Sequence, residues 1–233
     1  MSWNIWERPW RRVWSVTFVV SITLLSAAPR GAAQALRKGV SVELAVTRHA
    51  VAMPEADKDG SLIVAVTHSG NVYFGIDPIT PAALAEKQGL SNRAGEKLYI
   101  KADARTPYAN VAKVLEAVRT AGVTAPNLLT GQDEKPEPGK LMSPKGLEVR
   151  VGPPTPSRAE STVVQILNSE GPQPRLKINH EDGPWASLES RLRQLKKAVL
   201  LSADGQLTFG NVVHVVDLCR ATGAKVFLVT PAT

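Results

Sequence analysis

The stretch Leu98–Gly122, LYIKADARTPYANVAKVLEAVRTAG, is written a second time in altered form as Val199–Gly223, VLLSADGQLTFGNVVHVVDLCRATG. Laid over one another without a gap, the two share Ala102 with Ala203, Asp103 with Asp204, Asn110 with Asn211, Val111 with Val212, Val114 with Val215, Arg119 with Arg220 and Gly122 with Gly223. An internal repeat of this kind sets the organisation of a whole chain. Each copy opens on a short β-run, 98–102 or 199–203, that ends at Ala-Asp. In the first copy Thr106-Pro107 then offers an N-cap and a first-turn proline whose missing N–H costs nothing there. Val111, Val114, Leu115 and Val118 fall on one face of the helix that follows, as do Val212, Val215, Val216 and Cys219. Gly122 and Gly223 stand where a left-handed residue ends a helix, and the apolar runs 123–130 and 226–230 come next as strands. The unit is strand, helix, strand, with Tyr108 and Phe209 in matching turn positions.

Working outward, residues 39–46 (GVSVELAV) alternate as a strand does, and 61–67 (SLIVAVT) form a second apolar run, joined through Ser69-Gly70-Asn71 to 72–75 as a hairpin. The polar loop 53–60 carries Pro54, and Thr80-Pro81 opens a short helix to about Gln88. Residues 131–144 (GQDEKPEPGKLMSP) lack apolar periodicity and read as a linker. Beyond them Lys145-Gly146-Leu147-Glu148-Val149 echoes Lys38-Gly39-Val40-Ser41-Val42. Strands at 161–167 and 174–179 follow, then a helix over 184–197 with Trp185, Leu188, Leu192 and Leu195 inward. The fold expected is α/β (α+β): two tandem copies of a small sheet-and-helix domain, 38–130 and 145–233, each near the lower size limit for folding alone and therefore packed together.

Of the 233 residues, 43% are hydrophobic and 21% charged, the balance of a globular protein. The formal net charge is +7, but Lys and Arg are scattered and no nucleic-acid motif is present, so nucleic acid is not an expected partner. Anionic lipid or a cell-wall polymer such as peptidoglycan meets the same charge. The one cysteine, Cys219, has no partner for an intrachain disulfide.

The N-terminus points to a membrane. Trp3, Trp6, Trp10 and Trp14, with Arg11 and Arg12 among them, form an interfacial anchor pattern in and beside a cytoplasmic tail, 1–12. Residues 13–29 (VWSVTFVVSITLLSAAP) carry no charge, a span at the lower edge of what crosses a bilayer. The preferred reading is a retained transmembrane helix, with the N-terminus cytoplasmic and the rest periplasmic; its rival is a secretory signal with Ala33-Gln34-Ala35 as its cleavage site, and a buried core helix ranks last because tryptophan and arginine line its approach.

Catalytic signatures are lacking. His49, His68, His180 and His214 have no metal-ligand spacing, and neither a nucleophile elbow nor a phosphate or dinucleotide loop is present, so no enzyme activity, metal or cofactor is expected. Asp103 and Asp204 end strands, where ligands gather in α/β folds. A tight turn nevertheless uses Asp to bond local backbone N–H groups, and that reading is the stronger one. Asn110 and Asn211 read as local hydrogen-bonders, and Arg119 and Arg220 as complements to helix dipoles.

The segments IKADARTPYANVAKVLEAVRTAGV and LLSADGQLTFGNVVHVVDLCRATGA resemble the C-terminal part of the periplasmic domain of the ExbD/TolR family, and TFVVSITLLSAAP followed by KGVSVELAV resembles its membrane segment and the strand after it. The resemblance implies a single-pass inner-membrane subunit that works with an ExbB/TolQ-type channel partner in a proton-driven motor, for TonB-type transport or envelope maintenance. A TonB-like protein or another ExbD-like chain is a further implied partner. It also implies that two fused domains take the place of the homodimer of single domains the family uses. The membrane Asp that carries the family's proton falls at Ser15, and no carboxylate lies between Glu7 and Glu43, so this helix by itself does not relay protons. The competing expectation is a periplasmic binding or scaffold module without transport activity.

Overall fold

A computed structural model describes residues 40–87, 90, 97–133, 142–152, 161–171, 173–195 and 198–229. All lie in one compact unit, 38–233. The candidate membrane span 13–29, Ser15 and the anchor residues Trp3, Trp6, Trp10, Trp14, Arg11 and Arg12 lie outside the described residues.

Two sheets share one aliphatic core. In the first, β1 (Val51–Ala52), β2 (Leu62–Val66), β3 (Val72–Phe74), β4 (Asp77–Pro78), β5 (Leu98–Ala102), β6 (Asn127–Thr130) and β7 (Lys145–Glu148) lie in the order β1-β7-β6-β5-β2-β3-β4. The second comprises β8 (Arg150–Val151), β9 (Ser161–Leu167), β10 (Arg175–Ile178), β11 (Glu181–Asp182), β12 (Ala198–Ala203) and β13 (Val226–Leu228), in the order β11-β10-β9-β12-β13-β8. Parallel neighbours need a crossover connection, and helices supply it. The helix α2 (Tyr108–Thr120) joins β5 to β6, and α4 (Phe209–Ala221) joins β12 to β13. Shorter helices α1 (Pro81–Ala85) and α3 (Leu188–Leu195) precede β5 and β12.

The expected helical faces are buried: Val111, Val114, Leu115 and Val118 on α2 and Val212, Val215, Val216 and Cys219 on α4 have at most 0% exposure. Strand alternation sends Leu98, Ile100 and Ala102 to the same core. Between them Tyr99 points to the other face and joins Met53, Ala56 and Leu129 under a 3-10 turn at Pro54–Asp57. That turn covers a face that would otherwise meet water.

Five expectations are corrected. The run 39–46 makes no ladder among its described residues; only Val46 bridges, to Gly131, because β7 already occupies the outer edge of β6. Lys145–Glu148, expected to open the second domain, pairs antiparallel with β6 and β1 in the first sheet, and β8 then pairs parallel with β13 after the single residue Val149. An otherwise open strand edge is thus paired, and one extended segment ties both sheets. The helix at Thr80-Pro81 has the expected cap, Ala83 N to Thr80 Oγ1 at 3.2 Å, but ends at Ala85. Helix α2 starts after Pro107 without a side-chain cap, because the Thr106 hydroxyl accepts from Asn110 Nδ2 at 3.3 Å instead. The run from Pro184 is a 3-10 turn, Trp185–Ser187, before α3.

Candidate functional site

The strand-to-helix turns of the two halves meet. Tyr108 N donates to Leu207 O at 2.7 Å, and Phe209 N donates to Thr106 O at 2.8 Å. Ala109 N donates to Gly205 O at 3.0 Å, and Gly210 N to Ala104 O at 2.8 Å. Each bond of a pair converts into the other by a shift of 101 positions, from Tyr108 to Phe209 and from Thr106 to Leu207. Such reciprocity is the pattern of a two-fold interface, in which residue i meets j and j meets i. Close approach explains the small side chains here: a Cβ on Gly205 would lie 3.0 Å from Ala109 Cβ, and one on Gly210 would lie 3.2 Å from Ala104 O.

The two turn aspartates are built differently. Asp204 Oδ1 accepts from Gln206 N at 2.9 Å. Asp103 is 3% exposed and accepts from Arg105 N (3.1 Å), Arg105 Nε (3.0 Å), Arg105 Nη2 (3.0 Å) and Glu43 N (3.1 Å). The Arg105 guanidinium, helped by backbone N–H groups, holds the Asp103 carboxyl well below the usual carboxylate range against the effect of burial. With its lone pairs committed, this carboxylate is a clasp for the chain around Glu43, whose carbonyl accepts from Ala104 N at 2.7 Å.

A second clasp was not visible in the sequence. Asp217 on α4 is 4% exposed and accepts from Arg48 N at 3.0 Å, His49 N at 2.8 Å and the His49 ring Nδ1 at 3.2 Å. The segment 43–49 is thereby strapped from the end of β5, past Gly131, to a helix of the other half. A carboxylate inside the run Val215-Val216-Asp217-Leu218-Cys219 was the available signal, since a buried acid needs donors. At the matching position of α2, Glu116 pairs with Arg119 on its own helix, Arg119 Nε to Oε2 at 2.9 Å.

A groove of about 570 Å³ lies between α1 and α2 and is also lined by Ala203 and Gly205 of the second half. Ala82, Ala85, Ala109, Ala112 and Ala117 make its apolar wall, with Lys113 and Glu116 among its polar residues. Tyr108 also lines it; its ring is 1% exposed, and its hydroxyl is buried with no hydrogen-bond partner among the described residues. Burial raises the Tyr108 pKa, so the phenol keeps its proton.

The remaining predicted positions are structural in placement. Asn110 lies against the β2–β3 turn, where a Cβ on Gly70 would come within 2.5 Å of its Nδ2. Asn211 is half-buried, its N–H on Thr208 O at 3.0 Å. Gly122 and Gly223 have φ +93° and +76° and end α2 and α4 with matching bonds, Val123 N to Val118 O and Ala224 N to Cys219 O. Among the described residues no group of three or more His, Cys, Asp or Glu is placed to hold a metal ion. No described helix is long and apolar enough to cross a membrane.

No curated protein and no solved structure matches the chain. The family profile described as "Biopolymer transport protein ExbD/TolR" matches residues 16–133, half of the sequence, from the apolar N-terminal stretch through β6. The match takes in the first Ala-Asp turn, α2 and the strap, and ends before the second half begins. This chain belongs to the ExbD/TolR family of biopolymer transport proteins.

Proposed function

We propose that the protein is an accessory subunit of an inner-membrane, proton-motive-force-driven complex built on an ExbB/TolQ-type channel, anchored by residues 13–29 and projecting a fused pair of ExbD/TolR-like domains into the periplasm. Family membership suggests a role in ExbB/TolQ-associated transport or envelope complexes. The observation that carries the finer reading is the reciprocal set of four backbone bonds between residues 104–109 and 205–210. It is what a two-fold pair of domains makes when both are supplied by one chain. A duplication of the family's periplasmic domain accounts for it.

The subunit does not relay protons. Ser15 stands at the position of the family's membrane Asp, and a serine hydroxyl does not titrate near neutral pH. A partner ExbD-like chain that keeps the Asp would carry that step, and anionic lipid or peptidoglycan are further contacts of a basic periplasmic unit.

The test is affinity purification of the full chain from membranes together with intact-mass measurement. Full-length protein retaining an ExbB/TolQ-like subunit supports the reading. A product cleaved after Ala35 and recovered free of membranes supports the second reading, a periplasmic binding or scaffold module, which the absence of any carboxylate between Glu7 and Glu43 favours.

A further inference from the structure

The two halves also differ in the segment that precedes β5 and β12. In the second half the proline that starts the segment before β12, Pro184, is followed by Trp185, whose ring lies against His214 with centroids 6.2 Å apart and whose Nε1 donates to Pro174 O at 2.7 Å. The first half has Pro81 followed by Ala82, and Lys113 stands at the position of His214. Around these the second half carries Val213 and Leu218 where the first carries Ala112 and Ala117. One half fills the slot from within, and the other leaves the alanine-walled groove of about 570 Å³.

We propose that this groove takes a tryptophan side chain from an exposed segment of a partner protein. The choice of occupant rests on the correspondence between the halves proposed above; the groove itself does not. Three features fit an indole. The wall is apolar and shaped by methyl groups, Lys113 lines it at the position where the second half has His214 beside Trp185, and the volume is in the range of ligand sites. The groove also borders the junction between the halves, since Gly205 both lines it and accepts from Ala109 N.

The experiment uses the full chain in lipid nanodiscs with methyl-labelled alanine, titrated with N-acetyltryptophanamide and separately with N-acetylleucinamide. The expected result is saturable shifts confined to the methyls of Ala82, Ala85, Ala109, Ala112 and Ala117 with the tryptophan probe, none with the leucine probe, and their loss in Ala82→Trp. Lys113→Glu, on an exposed position, serves where Ala82→Trp does not fold, and it weakens binding about threefold by removing the cation from the ring face. Absence of shifts, equal shifts with both probes, or undiminished binding in either folded variant overturns the proposal. A negative result here leaves co-purification with the channel subunit unaffected, so the two readings fail separately.

Discussion

Asp217 on α4 accepts the backbone amide of His49 at 2.8 Å across 168 positions of sequence, and so fixes the segment that leads from the N-terminus to a helix of the opposite half. A pull applied to the N-terminal side of residue 40 therefore reaches both halves. Replacing Asp217 by Ala leaves the Arg48 and His49 amides without their acceptor, and stability is expected to fall by about 1–3 kcal/mol. Hydrogen exchange checks the assignment: the two amides lose protection in Asp217→Ala while β5 and β12 keep theirs. Unchanged exchange at Arg48 and His49 would mean that the clasp does not hold the strap.

The junction between the halves leaves no room for side-chain growth. Gly205→Val places its branched carbons against Ala109, and overpacking of this kind costs about 1–3 kcal/mol. Chemical denaturation measures the loss. Gly60→Val, where a Cβ meets nothing within 4 Å but φ is +85°, separates crowding from backbone strain. If Gly205→Val costs no more than this control, crowding is not what selects glycine at the junction.

The Asp103 carboxyl binds its proton less tightly in the folded chain than in the unfolded one. Its contribution is therefore fully present above the unfolded carboxylate value of about 4 and is lost as pH falls through the folded value. Asp103→Asn is expected to reduce stability at pH 7 by about 1 kcal/mol, since the Arg105 guanidinium is itself partly solvated. Urea melts of both proteins, repeated at decreasing pH, should begin to converge as pH falls below about 4. A constant gap down to pH 3 would assign the loss to shape and not to charge.

Cys219 is wholly buried on α4, and desolvation pushes its thiol up to about 12. A thiolate-directed reagent such as a maleimide should leave native protein unmodified at pH 8 and label it stoichiometrically in urea. Rapid labelling under native conditions would show that α4 opens locally, which its packing against the core does not predict.

The slot occupied by Trp185 gives a stability expectation of its own. Trp185→Ala removes a half-buried indole, its bond to Pro174 O and its contact with His214, at a cost of about 2 kcal/mol. Thermal unfolding reads the change, and a shift of less than a degree would show that the ring contributes little where it sits.

What the sequence determined by itself is whatever depends on neighbours within a few positions. The 3.6-residue spacing of Val111, Val114, Leu115 and Val118 specifies a helix with one apolar face wherever the chain places it. Gly122 and Gly223 end helices because their backbone turns left-handed at little steric cost. The apolar run at 61–67 and the turn at Gly70 likewise carry their own geometry, and the mixed α/β architecture follows from such units. The tertiary structure alone decided the assignments that depend on which partner is free. Lys145–Glu148 and the 39–46 run both read as strands, but β6 has one open edge, and the segment that pairs there leaves the other to be held by carboxylates. Asp217 acquired its role from amides 168 and 169 positions away, which no local pattern encodes. The groove is lined by Ala82 of α1 and Ala112 of α2, at the positions where the second half has the larger Trp185 and Val213. Spacing along the chain sets the shape of each element, whereas competition for edges and space sets what each element touches.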